Sequence, residues 1–215
     1  MGVPDLPDSP TQRHFVQALY HLTKSIDPTR PVIGNDGWEA VATDIIGIHD
    51  YDPVERMGHR YAAGEGGLSL FRRQGPAGRL LVLENPPHAD QPIMITEFGG
   101  IAYSPTEGSW GYARCETAEE FAERYTTLLS AVRGFGALAG FCYTQFSDTY
   151  QEANGLLNAD RTPKIPLHVI AQATRGSAHA PGGPSEWEWR ERIMGAIRAQ
   201  SWSPVDEMPR VAHAG

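Results

Sequence analysis

The sequence predicts an α/β fold, and three observations carry that expectation. Segments of helical and strand character follow one another as helix, strand, strand, long connection, strand, helix, strand, helix, which is the alternation of βα units around a parallel sheet. One apolar run, Pro92-Ile93-Met94-Ile95-Thr96-Glu97-Phe98-Gly99-Gly100, ends in a single carboxylate followed by two glycines. It reads as a buried strand that either delivers Glu97 to a rim, where the strand ends of α/β barrels carry their reactive groups, or ends in an ordinary way with Glu97 paired to a surface Arg. The third observation is length: 215 residues can bury one sizeable core but fall short of the roughly 250 residues of a complete (β/α)8 barrel.

Taken in order, the elements have local reasons. Ser9-Pro10-Thr11-Gln12 is a capping box with proline at the first helical position, and Phe15, Leu19, Leu22 and Ile26 follow at helical spacing, which predicts a helix over Pro10–Ile26. Asp27-Pro28-Thr29-Arg30-Pro31 ends it. Val32 to Trp38 then reads as a short strand, and Ile45 to Tyr51 as another. The connection from Asp52 to Gln91 is rich in Gly, Pro and Arg, with regular structure expected only over Arg79–Glu84. After the Glu97 strand, Thr117-Ala118-Glu119-Glu120 is a second capping box. Phe121, Tyr125, Leu128, Leu129 and Val132 mark its helix, closed by Gly134. A last strand is expected over Ala139–Phe146, running into the polar loop Ser147 to Gly155, and a short helix after Thr162-Pro163. The Gly/Pro-rich stretch from Gly176 to Pro184 sets off a Trp-containing tail, so the chain divides into residues 1–173 and a C-terminal extension, 174–215.

Composition excludes several classes of function. The net charge is −8, with no Lys/Arg cluster to follow a phosphate backbone, so nucleic acid is not an expected partner. No apolar run approaches the length of a membrane span, and the N-terminus carries no export or myristoylation signal. Two cysteines, Cys115 and Cys142, suffice for neither a disulfide framework nor a metal site; Cys142 reads as a small buried hydrophobe, and a cytoplasmic setting is the default expectation. His49-Asp50-Tyr51-Asp52 groups an imidazole with two carboxylates, but adjacent strand residues point to opposite faces and cannot converge on one ion. No metal and no cofactor are expected.

Strand alternation places Gly47, His49 and Tyr51 on one face and Ile46, Ile48 and Asp50 on the other. His49 and Tyr51 therefore either enter a site together or serve as a hydrogen-bonded element of the core. Asn35 and Asp36 stand where the preceding strand meets its loop; they either bond hydroxyl groups of a ligand or act as turn residues, since Asn-Asp-Gly is itself a turn signal. Phe141, Tyr143 and Gln145 share a face of the last strand. Trp110, in Ser109-Trp110-Gly111-Tyr112, is either a stacking surface or the packing anchor of its loop.

The Thr96-Glu97-Phe98-Gly99-Gly100 and Tyr143 to Asp160 stretches resemble glycoside hydrolase family 2, the β-galactosidases, β-glucuronidases and β-mannosidases. The resemblance implies strands five to eight of a partial (β/α)8 TIM barrel and a retaining β-glycosidase whose nucleophile is Glu97. It also implies that His49 or Tyr51 bonds the nucleophile or the sugar, that Tyr143 floors the sugar site in place of the family's usual Trp, and that Gln145 bonds a hydroxyl. Hydrogen bonds to a carboxylate favour its charged form, which a nucleophile needs.

A retaining enzyme requires a second carboxyl group. In the family this acid/base Glu follows an Asn at the end of the fourth strand, and Gly2 to Leu6 resembles what comes directly after that motif. The chain is therefore expected to start just past its acid/base residue, and only Glu39 and Glu152 stand near the rim as substitutes. Two readings follow: a truncated O-glycosyl hydrolase acting on carbohydrate, or a non-catalytic half barrel that binds sugar or pairs with another polypeptide. Association with a missing barrel half, or self-association, is expected because an open half barrel exposes unpaired edges.

Overall fold

The computed structural model describes residues 8–61, 75–83, 91–104 and 108–176; the extension 174–215 lies almost wholly outside these residues. Helix α1 spans Pro10–Ile26, capped by Ser9, whose side chain accepts from the Gln12 amide, and Asp27 ends it. Strand β1 is Ile46–Asp50 and helix α2 is Val54–Tyr61. After one 3₁₀ turn at Pro76–Gly78 come β2, Ile93–Gly99, then the two-residue strands β3, Ile101–Ala102, and β4, Ala113–Arg114. Helix α3, Ala118–Gly134, is capped by Thr117; β5, Gly140–Thr144, and α4, Leu167–Arg175, complete the order.

The architecture is mixed α/β with small parallel sheets. Three strands hydrogen-bond in the order β1-β2-β5, all parallel, and β3 pairs with β4 in a second parallel sheet. No closed barrel forms among the described residues. One face of the main sheet is buried against helices: Ile46, Ile48, Ile93, Ile95 and Phe98 join Phe121, Tyr125, Leu129 and Val132 of α3 and Met57 and Tyr61 of α2 in one core. Each such side chain contributes about 1.5–3 kcal/mol on full burial. Helix α4 is fixed to α3 by the Tyr125–Thr174 hydroxyl pair at 2.8 Å and by Arg133 donating to the Ala173 carbonyl.

Three expectations need correction. Residues Val32 to Trp38 form no strand, because Gly37 (φ 97°) and Glu39 (φ 48°) take left-handed backbone that breaks extension, and the Asn-Asp-Gly turn wins. Only isolated pairing survives there, Ala40 with Val82. The long connection contains α2, whose short amphipathic pattern the Gly/Pro/Arg composition concealed. The apolar stripe that marks α1 is exposed at Phe15, Leu19, Leu22 and Ile26, and Val16 alone in this helix is buried, beside Leu83, a facing on which helical spacing is silent. Finally, Cys142 is exposed while Cys115 is buried, because Cys142 lies on the face of β5 turned away from the helices.

Helix α1 is anchored instead by polar contacts. The Asp44 carboxylate accepts from Tyr20 Oη at 2.5 Å, Lys24 Nζ at 3.0 Å and the Val32 amide at 2.8 Å. Burial opposes the Asp44 charge, but these bonds outweigh it and hold its pKa below the usual carboxylate value. No helix among the described residues is long and apolar enough to cross a membrane.

Candidate active site

Glu97 reaches its position through a β-bulge. Ile95 and Phe98 are both fully buried against the helices, which strict alternation over three positions forbids; the pairing of β2 slips between these two residues on the β5 side and opposite Ile48/His49 on the β1 side. The extra residue leaves Thr96 and Glu97 together on the face opposite the helices. That is the face to which β1 sends Gly47 and His49, with Asp50 turned into the helix layer, fully buried and accepting from Tyr61 Oη at 2.7 Å and from Arg60.

Three groups then converge. Tyr51 Oη donates to Glu97 Oε2 at 2.9 Å, and His49 Nδ1 lies 3.2 Å from the same oxygen. His49 Nε2 is 3.2 Å from Asp36 Oδ2, and Asp36 Oδ1 accepts from Thr96 Oγ1 at 2.6 Å. Burial, and then the facing Glu97 carboxylate, push the Tyr51 hydroxyl well above its ordinary pKa, so it remains a donor; the Thr144 hydroxyl bonds it as well. Burial works against the charge on Asp36, yet the bonds from His49 and Thr96 hold its pKa below the ordinary value. Among the described residues no group of His, Cys, Asp and Glu has metal-binding geometry.

The other sequence-derived candidates divide. Asn35 is buried, and its amide donates to the Trp38 carbonyl at 3.0 Å, which is turn chemistry. Tyr143 packs edge-on against Phe98 and Tyr125 in the helix-facing core, with its hydroxyl accepting from the Ile101 amide at 3.4 Å. It therefore lies on the face opposite Glu97, and its ring fills the space that a Cβ on Gly99 would need, 2.2 Å away. Gln145 serves the loop, bonding the Glu152 carbonyl at 3.5 Å through its side chain and Asn154 through its backbone. Trp110 is exposed; its backbone pairs with Gln151 and Ala153 and its ring meets Tyr112 edge-on at 6.1 Å.

Tyr112, Trp38, Thr96 and Thr144 were missed. Tyr112 stacks on Tyr51 at 3.6 Å and 10°, and burial, then the charges of Glu97 and Glu152, raise its pKa. Trp38 meets His49 edge-on at 4.9 Å and carries the Arg79 guanidinium over its ring at 4.6 Å. Only the Trp-Gly-Tyr sequence and the neighbour of Glu97 offered a signal for any of them. Of the two substitute carboxylates, Glu39 is buried and held by both arms of Arg79, and Glu152 accepts from Asn154 Nδ2 at 3.1 Å. A cavity of about 610 Å³ lies beside the ring stack, walled by Tyr51, Tyr112, Gly99, Ile101, Leu128 and Arg124 among others but not by Glu97. The convergent donors, rather than cavity size, mark where chemistry is supported.

No family model and no curated protein sequence matches this chain. Solved structures do. A GH2 β-galacturonidase from Eisenbergiella tayi, bound to glycerol, superposes with a TM-score of 0.50 at 18% identity, covering 78% of this chain and 31% of that one. A β-glucuronidase from Faecalibacterium prausnitzii gives a TM-score of 0.50 at 19% identity over 85% of this chain and 31% of its own length. The chain thus shares its fold with a part of these glycosidases and spans about a third of their length.

Proposed function

We propose that this chain is the C-terminal half of a glycoside hydrolase family 2 catalytic barrel, with Glu97 as the nucleophile of a retaining β-glycosidase. The observation that carries the reading is the convergence of Tyr51 Oη and His49 Nδ1 on Glu97 Oε2 at a parallel strand end. The likeness of fold to a GH2 β-galacturonidase and a β-glucuronidase supports it. In the first half-reaction Glu97 attacks the anomeric carbon, forming a glycosyl ester as the glycosidic C–O bond breaks, and the leaving oxygen takes a proton from a second carboxyl about 5–5.5 Å from the first. Water then cleaves the ester with that carboxylate as base. In this reading the second carboxyl is supplied by a part of the barrel outside this chain, and the commitment of Glu39 to Arg79 supports it.

Labelling the purified chain with a mechanism-based 2-fluoro glycoside, followed by peptide mapping, tests the assignment. An adduct on Glu97 is expected, absent from Glu97→Gln; an adduct on Glu39 or Glu152 overturns it. A second reading, a non-catalytic half barrel that binds sugar or pairs with another polypeptide, is favoured by the same commitment of Glu39 and predicts binding without any adduct.

A further inference from the structure

Asp36 offers neither carboxylate oxygen unengaged to a substrate. Its Oδ1 accepts from Thr96 Oγ1 at 2.6 Å and its Oδ2 lies 3.2 Å from His49 Nε2. His49 in turn presents Nδ1 to Glu97 Oε2 at 3.2 Å. We propose that Asp36 is a positioning residue: through His49 it dictates which ring nitrogens carry protons and so holds Glu97 oriented with a donor at Oε2. The inference rests on the assignment of Glu97 as the nucleophile for its consequence, though not for its geometry.

The surroundings fix this chain of groups at every link. The His49 ring is 6% exposed and is met edge-on by Trp38. Gly37, at φ 97°, also lies against the ring, which a Cβ there would approach to 2.7 Å. Gly47 opens the space for Asp36, since a Cβ there would lie 2.2 Å from Oδ1. A residue larger than glycine at either position displaces a member of the relay.

A neutral imidazole has one N–H and one lone pair. With a carboxylate at each nitrogen, the neutral ring satisfies one partner and turns its lone pair on the other, whereas the doubly protonated ring donates to both. The relay thus runs from Asp36 through His49 to Glu97, its middle member bridging two carboxylates. When Glu97 becomes a neutral ester, the demand at Nδ1 falls and Asp36 alone holds the ring. The charged and titratable groups facing the assembly are Asp36 from the 32–40 segment, Glu97 from β2, Tyr51 after β1, Arg79 across Trp38, and Cys142 on β5, whose thiol is pushed up by burial and then by Glu97 and Asp36.

The test uses the full 215-residue chain with ¹⁵N-labelled histidine, the His49 signals being identified from their loss in His49→Gln. Long-range ¹⁵N–¹H spectra recorded across pH read the proton on each ring nitrogen. The ¹⁵N shift of Nε2 is expected to move in Asp36→Asn and that of Nδ1 in Glu97→Gln, each by more than the shift of the opposite nitrogen. Thr96→Val, which removes only the hydroxyl on Asp36, is expected to move the Nε2 signal less and in the same direction, and serves if Asp36→Asn does not fold. Asp36→Asn is also expected to slow fluoroglycoside labelling of Glu97 at least tenfold and to change its pH profile, with saturation by the reagent altered less than twofold. His49 ring signals that ignore both Asp36→Asn and Thr96→Val overturn the relay. Ring signals that respond, in a chain that is never labelled at Glu97, leave the relay standing and remove the nucleophile assignment instead.

Discussion

Glu97 is held by donors that arrive from another strand, and the neighbours of those donors are as constrained as the donors themselves. Removing the phenol is the direct probe. Tyr51→Phe is expected to slow fluoroglycoside labelling of Glu97 by about tenfold to a hundredfold, because a hydrogen bond to a charged group contributes about 1.5–3 kcal/mol and 1.4 kcal/mol is about a factor of ten. An unchanged labelling rate would detach Tyr51 from the site. Glycines give a matched pair. Gly47→Ala puts a Cβ 2.2 Å from Asp36 Oδ1 and is expected to destabilise the fold by about 1–3 kcal/mol, whereas Gly58→Ala, in α2 with nothing within 4 Å, should stabilise it by about 0.5–1 kcal/mol. Urea midpoints of the two variants, moving in opposite directions, check both.

At the scale of elements, the loop after β5 and the helix α1 depend on buried or half-buried charges rather than on apolar packing. Lys164 Nζ, with its side chain 1% exposed, lies 2.7 Å from Asp148 Oδ1 and donates to the Ala153 carbonyl, fastening the loop that carries Glu152. Lys164→Met leaves the half-buried Asp148 carboxylate with the Gly155 amide as its remaining donor and is expected to cost about 1–3 kcal/mol in chemical denaturation. Asp44 performs the matching task for α1. Its folded pKa, like that of Asp36, lies below the unfolded value, so the stabilisation it provides is complete above the unfolded carboxylate range near 3.9 and is lost as pH falls through the folded value. Thermal melts should therefore fall steeply on acidification below about pH 4, and Asp44→Asn should be less stable at neutral pH with a shallower acid dependence. Equal acid slopes in the two proteins would show that the Asp44 clasp contributes nothing.

For the whole molecule, the described sheet is open. The outer edge of β5 pairs with no further strand among the described residues, and α1 shows Phe15, Leu19, Leu22 and Ile26 to solvent on one stripe. Unpaired edges and exposed apolar stripes drive association. Sedimentation across a concentration series should show self-association of the purified chain, reduced in Leu19→Glu/Leu22→Glu; a monomer at every concentration would mean that the open face is covered from within the chain. On the proposed half-barrel reading the proton donor lies outside this chain, and that arrangement has its own signature. A positioned general acid contributes about 10² to 10⁴-fold, so the chain alone should cleave activated aryl glycosides slowly, accelerated by azide, and natural disaccharides hardly at all. Robust disaccharide hydrolysis would place an acid/base within these residues.

The sequence by itself determined what short-range interactions determine. Ser9 and Thr117 cap the helices they were expected to cap, because a capping hydrogen bond closes within three residues. The apolar runs at Ile46–Asp50, Ile93–Gly99 and Gly140–Thr144 form the parallel strands, and Glu97 stands near a strand end with His49 and Tyr51 turned toward it. What sequence could not carry was contact at long separation and departure from regular period. Tyr51 finds Glu97 across 46 positions and Thr96 finds Asp36 across 60; nothing local distinguishes Asp36 as a partner of His49 from Asp36 as a turn residue. The family resemblance put Tyr143 at the sugar site, yet its ring entered the aromatic core with Phe98 and Tyr125, and strict alternation did not foresee the bulge that turns Glu97 outward. Only the tertiary structure decided these, because a strand's register and facing are set by the apolar surface its neighbours bury, and that surface exists only once the sheet and α3 have met.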